Sequence, residues 1–161
     1  MTGWLALGVV VVLVGLNGLF VAAEFAVVSA RGPALDDLAE SGDRRAGEVA
    51  ALLGRLPFFL SMVQFGITVT SLIVGFLADR AIGVTLVRPV LAAIGVPVEV
   101  SLALSVTLAL VVSTLVQMLF GELFPKNVAI SRPVPVARAL AGFSNGSITL
   151  LGPVVRVLDR A

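Results

Sequence analysis

Three long apolar stretches constrain this chain more than any other feature. Trp4 to Ala23 holds Asn17 as its single strongly polar residue, Phe58 to Ala78 follows Pro57, and Ser101 to Phe120 follows Pro97 by a few residues. Each has about the 20 residues that a helix needs to cross a hydrocarbon core of about 30 Å. Composition agrees: of 161 residues 58% are hydrophobic and 13% charged, and the mean hydropathy is +1.10. Water-soluble domains carry about 45–50% apolar and about 25% charged residues. Folded in water, this chain would expose apolar patches that soluble monomers avoid. The expectation is therefore an all-α integral membrane domain with three spans, at about 4–29, 58–78 and 100–121. A signal peptide is the competing reading of the first stretch. The lack of a basic leader and the continuation of the apolar run past Glu24 to Val28 argue against it.

The remaining segments read as surface helices. Residues 32–56 are polar with a helical pattern; Leu35, Leu38 and Ala39 form one apolar edge, and Val49, Ala50, Leu52 and Leu53 another. Ser41-Gly42-Asp43 divides them, with Asp43 as the N-cap of the second helix. The piece from Ala81 to Val96 is interrupted by Arg88-Pro89 and reads as short and interfacial or re-entrant. Residues 134–160 carry Arg138, Asn145, Gly152, Pro153 and Arg156, which suits helices along the interface better than a fourth span. Charge sets the orientation. Arg31, Arg44, Arg45 and Arg55 lie in the first loop, and Lys126, Arg132, Arg138, Arg156 and Arg160 follow the third span, against Arg80 and Arg88 between spans two and three. By the positive-inside rule the first loop and the C-terminus are cytoplasmic and the N-terminus lies outside, in a multi-pass protein of the cell (inner or plasma) membrane. The segments 32–56 and 134–160 then become cytoplasmic juxtamembrane helices.

The chain contains no His and no Cys. A Ser-His-Asp triad, a thiol nucleophile, a disulfide and an N/S-ligated zinc site are thereby excluded. No nucleophile–base pair, phosphate-cradling loop or cofactor motif is present, so an enzyme is not expected. A net charge of +1 gives no argument for nucleic acid. Ion chemistry in this chain must use oxygen ligands, which suit hard cations such as Mg²⁺ or Ca²⁺.

Each span carries a polar stripe. Asn17 and Glu24 are seven residues apart, about 20° in azimuth. Ser61, Gln64, Thr68 and Ser71, with Gly75 one turn on, occupy an arc of roughly 80° on the second span, and Thr107, Thr114, Gln117 and Gly121 repeat the pattern on the third. Such stripes either line a shared hydrated cavity or serve as packing and hydrogen-bonding glue between helices. A carboxylate near the centre of a span costs about 2.5–3.5 kcal/mol on insertion scales. Glu24 and Glu122 therefore need an explanation. Pro125 cannot continue a regular helix without the loss of a hydrogen bond. Gly121 to Pro125 reads either as a broken helix that frees carbonyls beside Glu122, or as a helix end with an exposed Glu122–Lys126 pair.

Three motifs together resemble the transmembrane domain of the CorC/CNNM (cyclin M-like) family: Asn17-Gly18-Leu19-Phe20-Val21-Ala22-Ala23-Glu24-Phe25-Ala26, Leu60-Ser61-Met62-Val63-Gln64-Phe65-Gly66-Ile67-Thr68, and Phe120-Gly121-Glu122-Leu123-Phe124-Pro125-Lys126. The resemblance implies a homodimer of three-span protomers in membrane lipid. It also implies Mg²⁺ transport, as export coupled to Na⁺ entry, through an inward-facing acidic site. Glu122 and the Gly121 carbonyl are its implied ligands, with Ser71 next; Gln64 and Thr68 extend the set along the second span. Many members read Phe-Ser-x-Ser-Glu in the first motif, where this chain has Val21 and Ala23. Asn17 or Glu24 is then left to supply the first-span ligand. On the broken-helix reading of the third motif, Gly121 and Pro125 are the expected hinge. Family members continue into cytosolic nucleotide-binding modules, so this chain is expected to be truncated, with nucleotide acting only through those missing domains. An exporter of organic cations such as polyamines, or a non-transporting Mg²⁺ sensor or scaffold, are the alternatives.

Overall fold

The computed structural model describes residues 3–158. Arg160 and the end of the 134–160 segment lie outside these residues. Among them the chain is helical and contains no strand. Helix α1 (Gly3–Ser29) is apolar on all sides. It is the centre of the fold, packed most extensively against α4, α7 and α8. Two short helices come next, α2 (Pro33–Glu40) and α3 (Arg44–Leu53). The reversal between them uses Gly42 at φ 91°, with the Asp43 amide bonded back to the Leu38 carbonyl. This is the left-handed glycine stop of a helix. Asp43 then caps α3 as expected, its Oδ1 accepting from the Ala46 amide at 2.9 Å.

The second and third apolar stretches lie within longer helices. Helix α4 (Leu56–Ala78) runs through a π-helical stretch, Asp79–Val87, into α5 (Arg88–Ala93). Helix α6 (Val98–Val116) runs through a second one, Gln117–Leu123, into α7 (Phe124–Ser131). The interruption expected at Arg88-Pro89 and the break expected at Gly121–Pro125 are both continuous helix. The reason is common to the two sites. A proline has no amide for the carbonyl four residues back. Here the helix widens before the proline, so that the Arg88 amide bonds to the Gly83 carbonyl and the Phe124 amide to Leu119, five residues back. Gly95, at φ 81°, turns the chain between α5 and α6.

Among the described residues three helices, Gly3–Ser29, Leu56–Ala93 and Val98–Ser131, are long and apolar enough to cross a membrane. Helix α8 (Pro133–Leu158) is not among them; it lies against α1, α3 and α4. Two apolar cores result. One joins Phe20, Ala23 and Val27 of α1 to Leu35, Leu52, Phe59, Met62 and Ala141. The other joins Ala6, Val10 and Val14 to Val74, Ile82 and Ala109. On α1 and α4 the same interval separates the two: Asn17 on the first, Thr70 and Ser71 on the second.

Candidate cation site

The polar layer between the cores is built around Asn17, which is buried. Its Nδ2 donates to the Gly121 carbonyl at 2.9 Å. Its Oδ1 accepts from Thr70 Oγ1 at 2.6 Å and Ser71 Oγ at 3.2 Å. Gln117 Nε2 in turn donates to Ser71 Oγ at 3.1 Å. The donor order fixes the amide: flipped, it would set its oxygen against the Gly121 carbonyl. All three spanning segments are thus joined through one side chain.

Local sequence brings these groups together. Pro125 offers no amide to the Gly121 carbonyl, and that carbonyl faces Asn17 across the interface. Gly18 lets α7 close on α1. A Cβ there would lie 2.9 Å from the Pro125 ring and 3.0 Å from the Phe120 carbonyl oxygen. A Cβ on Gly121 would meet Asn17 Nδ2 at 3.1 Å and the Gln117 amide at 3.2 Å. Gly66, next to the polar layer, admits the Phe20 ring, which would be 2.7 Å from a Cβ.

Beside this network lies a cavity of about 400 Å³, lined by Asn17, Val21, Glu24, Phe25, Gln64, Ile67, Ser71, Gln117 and Glu122. Of the expected ligands, Asn17, Glu24, Gln64, Ser71 and Glu122 line it, and Gly121 contributes the carbonyl behind it. Thr68 does not line it; its hydroxyl donates to the Gln64 carbonyl at 2.8 Å. Ser61, Gly75, Thr107 and Thr114 are also exposed outside it. Thr70, absent from the expected set, is part of the network. Helix geometry explains the exchange. Taking Ser71 as zero, Thr68 sits about 60° to one side and Thr70 about 100° to the other. The Asn17 side is the Thr70 side, which no single-helix stripe reveals. Gln117 had a signal in its stripe, and it proves central.

The electrostatics are unbalanced. Glu24 is half-buried, and neither it nor Glu122 has an ion pair among the described residues. No Lys or Arg lines the cavity. Gln117 Oε1 is buried with no hydrogen-bond partner, an arrangement that costs about 1–3 kcal/mol. Among the described residues no three or more His, Cys, Asp or Glu side chains are grouped so as to hold a metal ion by themselves. The wall therefore offers a mixed set of carboxylate, amide and hydroxyl oxygens, the chemistry of a hard cation that keeps part of its water shell. At about 30 Å³ per water, six waters occupy about 180 Å³, so the cavity has room for a hydrated ion.

Fold and site together define a multi-pass helical membrane domain with an acidic, all-oxygen cavity between its spans. Residues 8–161 match the model of the cyclin M transmembrane N-terminal domain, and the chain belongs to that family. It is 35% identical over 130 residues to the UPF0053 protein YugS of Bacillus subtilis, covering 81% of this chain and 30% of that one. It is 35% identical over 148 residues to YhdT of the same organism, covering 92% and 32%. To the UPF0053 protein MT1890 of Mycobacterium tuberculosis it is 34% identical over 145 residues, covering 90% and 32%. The chain thus spans about a third of the length of these relatives.

Proposed function

We propose that this domain binds Mg²⁺ in the cavity between its spans and carries it across the membrane. The observation that supports this reading most directly is the buried, unpartnered Gln117 Oε1 in a wall that also holds two carboxylates without ion pairs. A divalent cation held there through its water shell offsets the charge of Glu24 and Glu122 and gives the amide oxygen a partner. Glu122, Glu24, Gln64, Ser71 and Gln117 are the proposed contacts. Asn17 and Thr70 hold the geometry by tying Gly121 to α4.

The proposed direction is export from an inward-facing site, coupled to Na⁺ entry, by a homodimer in the cell membrane with its N-terminus outside and its C-terminus in the cytoplasm. The charge bias of the loops supports the orientation. Alternating access follows if α7 tilts about Gly121 and Pro125, where π-pairing and the side-chain bond to Asn17 replace regular helix bonds. The test is Mg²⁺ binding by calorimetry together with Mg²⁺ flux from proteoliposomes under imposed Na⁺ gradients. Glu122→Gln is expected to lower affinity at least tenfold and to abolish flux. Unchanged flux defeats the site; flux indifferent to Na⁺ defeats the coupling. Thermal protection by spermidine in place of Mg²⁺ would favour an organic cation as cargo.

A further inference from the structure

The Phe120–Lys126 motif ends in a charge that the cation site does not use. Lys126 follows Glu122 by four residues, and helical spacing alone would pair the two. The structure sends the ammonium elsewhere. Lys126 Nζ lies 4.7 Å from the centre of the Phe25 ring, and among the described residues no carboxylate is within ion-pair distance of it. Phe25 is a wall residue of the cavity, next to Glu24 in α1, and Glu122 lines the same cavity from the facing helix. A positive charge is thus held on the face of an aromatic wall residue of a cavity that also holds two carboxylates lacking ion pairs, and it interacts electrostatically with Glu24.

Two carboxylates on one cavity wall with no cation to oppose the bound ion would hold a divalent ion too tightly to release it, and permeation needs binding that is weak enough to leave. We propose that Lys126 is the tethered counter-cation of the site, kept on Phe25 so that its charge opposes the bound ion without occupying the ion's place. The inference rests on the cation-site reading above. Its charge dependence is its signature. Coulomb repulsion scales with the charge of the ion, so Lys126 weakens Mg²⁺ binding by about the square of the factor by which it weakens Na⁺ binding.

The experiment measures Mg²⁺ and Na⁺ affinity by calorimetry on the full chain in detergent, with thermal unfolding as the folding control. Lys126→Gln is expected to tighten Mg²⁺ about tenfold and Na⁺ about threefold, and to slow Mg²⁺ flux at saturating load. Lys126→Arg keeps the wild-type values. Phe25→Leu removes the ring that holds the ammonium and frees it to reach Glu122 or Glu24, so Mg²⁺ binding weakens, the opposite shift. Lys126→Gln with unchanged or weaker Mg²⁺ binding overturns the counter-cation role, and a weakened Glu122→Gln in the same series shows that the cation site itself stands. Unchanged Mg²⁺ binding in both variants removes the site and the counter-cation together.

Discussion

The two π-helical stretches use one backbone device for opposite ends. In each, the helix widens just before a proline, Pro89 or Pro125, and in each an acidic residue is close by. At Asp79–Val87 the polar groups close on themselves. Arg88 Nη2 is 3.3 Å from Asp79 Oδ1, and Arg88 Nε donates to Ser105 Oγ at 3.0 Å. Gly83 is held tightly in this cluster, where a Cβ would lie 2.6 Å from Asp79 Oδ1. At Gln117–Leu123 the closure is incomplete, although Gln117 Nε2 reaches Ser71 Oγ. The Gly121 carbonyl is used by Asn17 from another helix, Glu122 has no ion pair, and Gln117 Oε1 has no partner. A π turn therefore does not make a site by itself. On the proposed reading it makes one where the groups it displaces are left short of partners beside a cavity.

That contrast can be broken at several points. The largest effect is expected from Gly18→Ala. Its new methyl meets the Pro125 ring and a backbone oxygen, neither of which can swing away, so unfolding in detergent should show a loss of about 1–3 kcal/mol together with loss of Mg²⁺ binding. Pro125→Ala returns an amide to the Gly121 carbonyl. Thermal stability should hold or rise while Mg²⁺ affinity falls about tenfold, or about 1.4 kcal/mol; Pro89→Ala should leave affinity unchanged. Equal effects of the two proline variants on binding would erase the distinction between the stretches. Arg88→Met should cost at most about 1 kcal/mol, since its pair with Asp79 is about a third exposed on both sides, with no change in ion affinity.

The smallest effect lies outside the spans. The backbone amide of Ala46, and after it the Arg138 side chain, hold the Asp43 carboxyl below its ordinary range. A depressed folded-state pKa stabilises the fold above the unfolded value of about 4 and loses that contribution as pH falls through the folded value. The stability gap between wild type and Asp43→Asn should be constant near neutrality and close in acid. Melting curves across that range will show whether the α3–α8 contact is electrostatic at all.

Much of this was legible in the chain. The three spans follow from apolar length, the α2–α3 reversal from Ser41-Gly42-Asp43, and most of the cavity wall from polar stripes and the carboxylates. What failed to appear did so for identifiable reasons. Thr70 and Thr68 differ only in which side of the α4 stripe faces α1, and that depends on a neighbour. That the second and third helices continue beyond their apolar stretches is hidden in the sequence, because a proline marks a lost hydrogen bond but not whether the backbone can widen to pass it.

The sequence alone determined that this chain must be helical and membrane-embedded, that its chemistry must be oxygen chemistry, and that Glu24 and Glu122 needed a reason to be where they are. Burial cost and residue inventory are properties of composition and order, so no fold is needed to read them. Only the tertiary structure decided which of two similar proline-marked turns is closed and which is open, that Asn17 joins all three spanning segments, and that Lys126 sits on Phe25 and not on Glu122. Those outcomes depend on close approach between helices distant in the chain, at Gly18, Gly66 and Gly121, where a single methyl group would change the result.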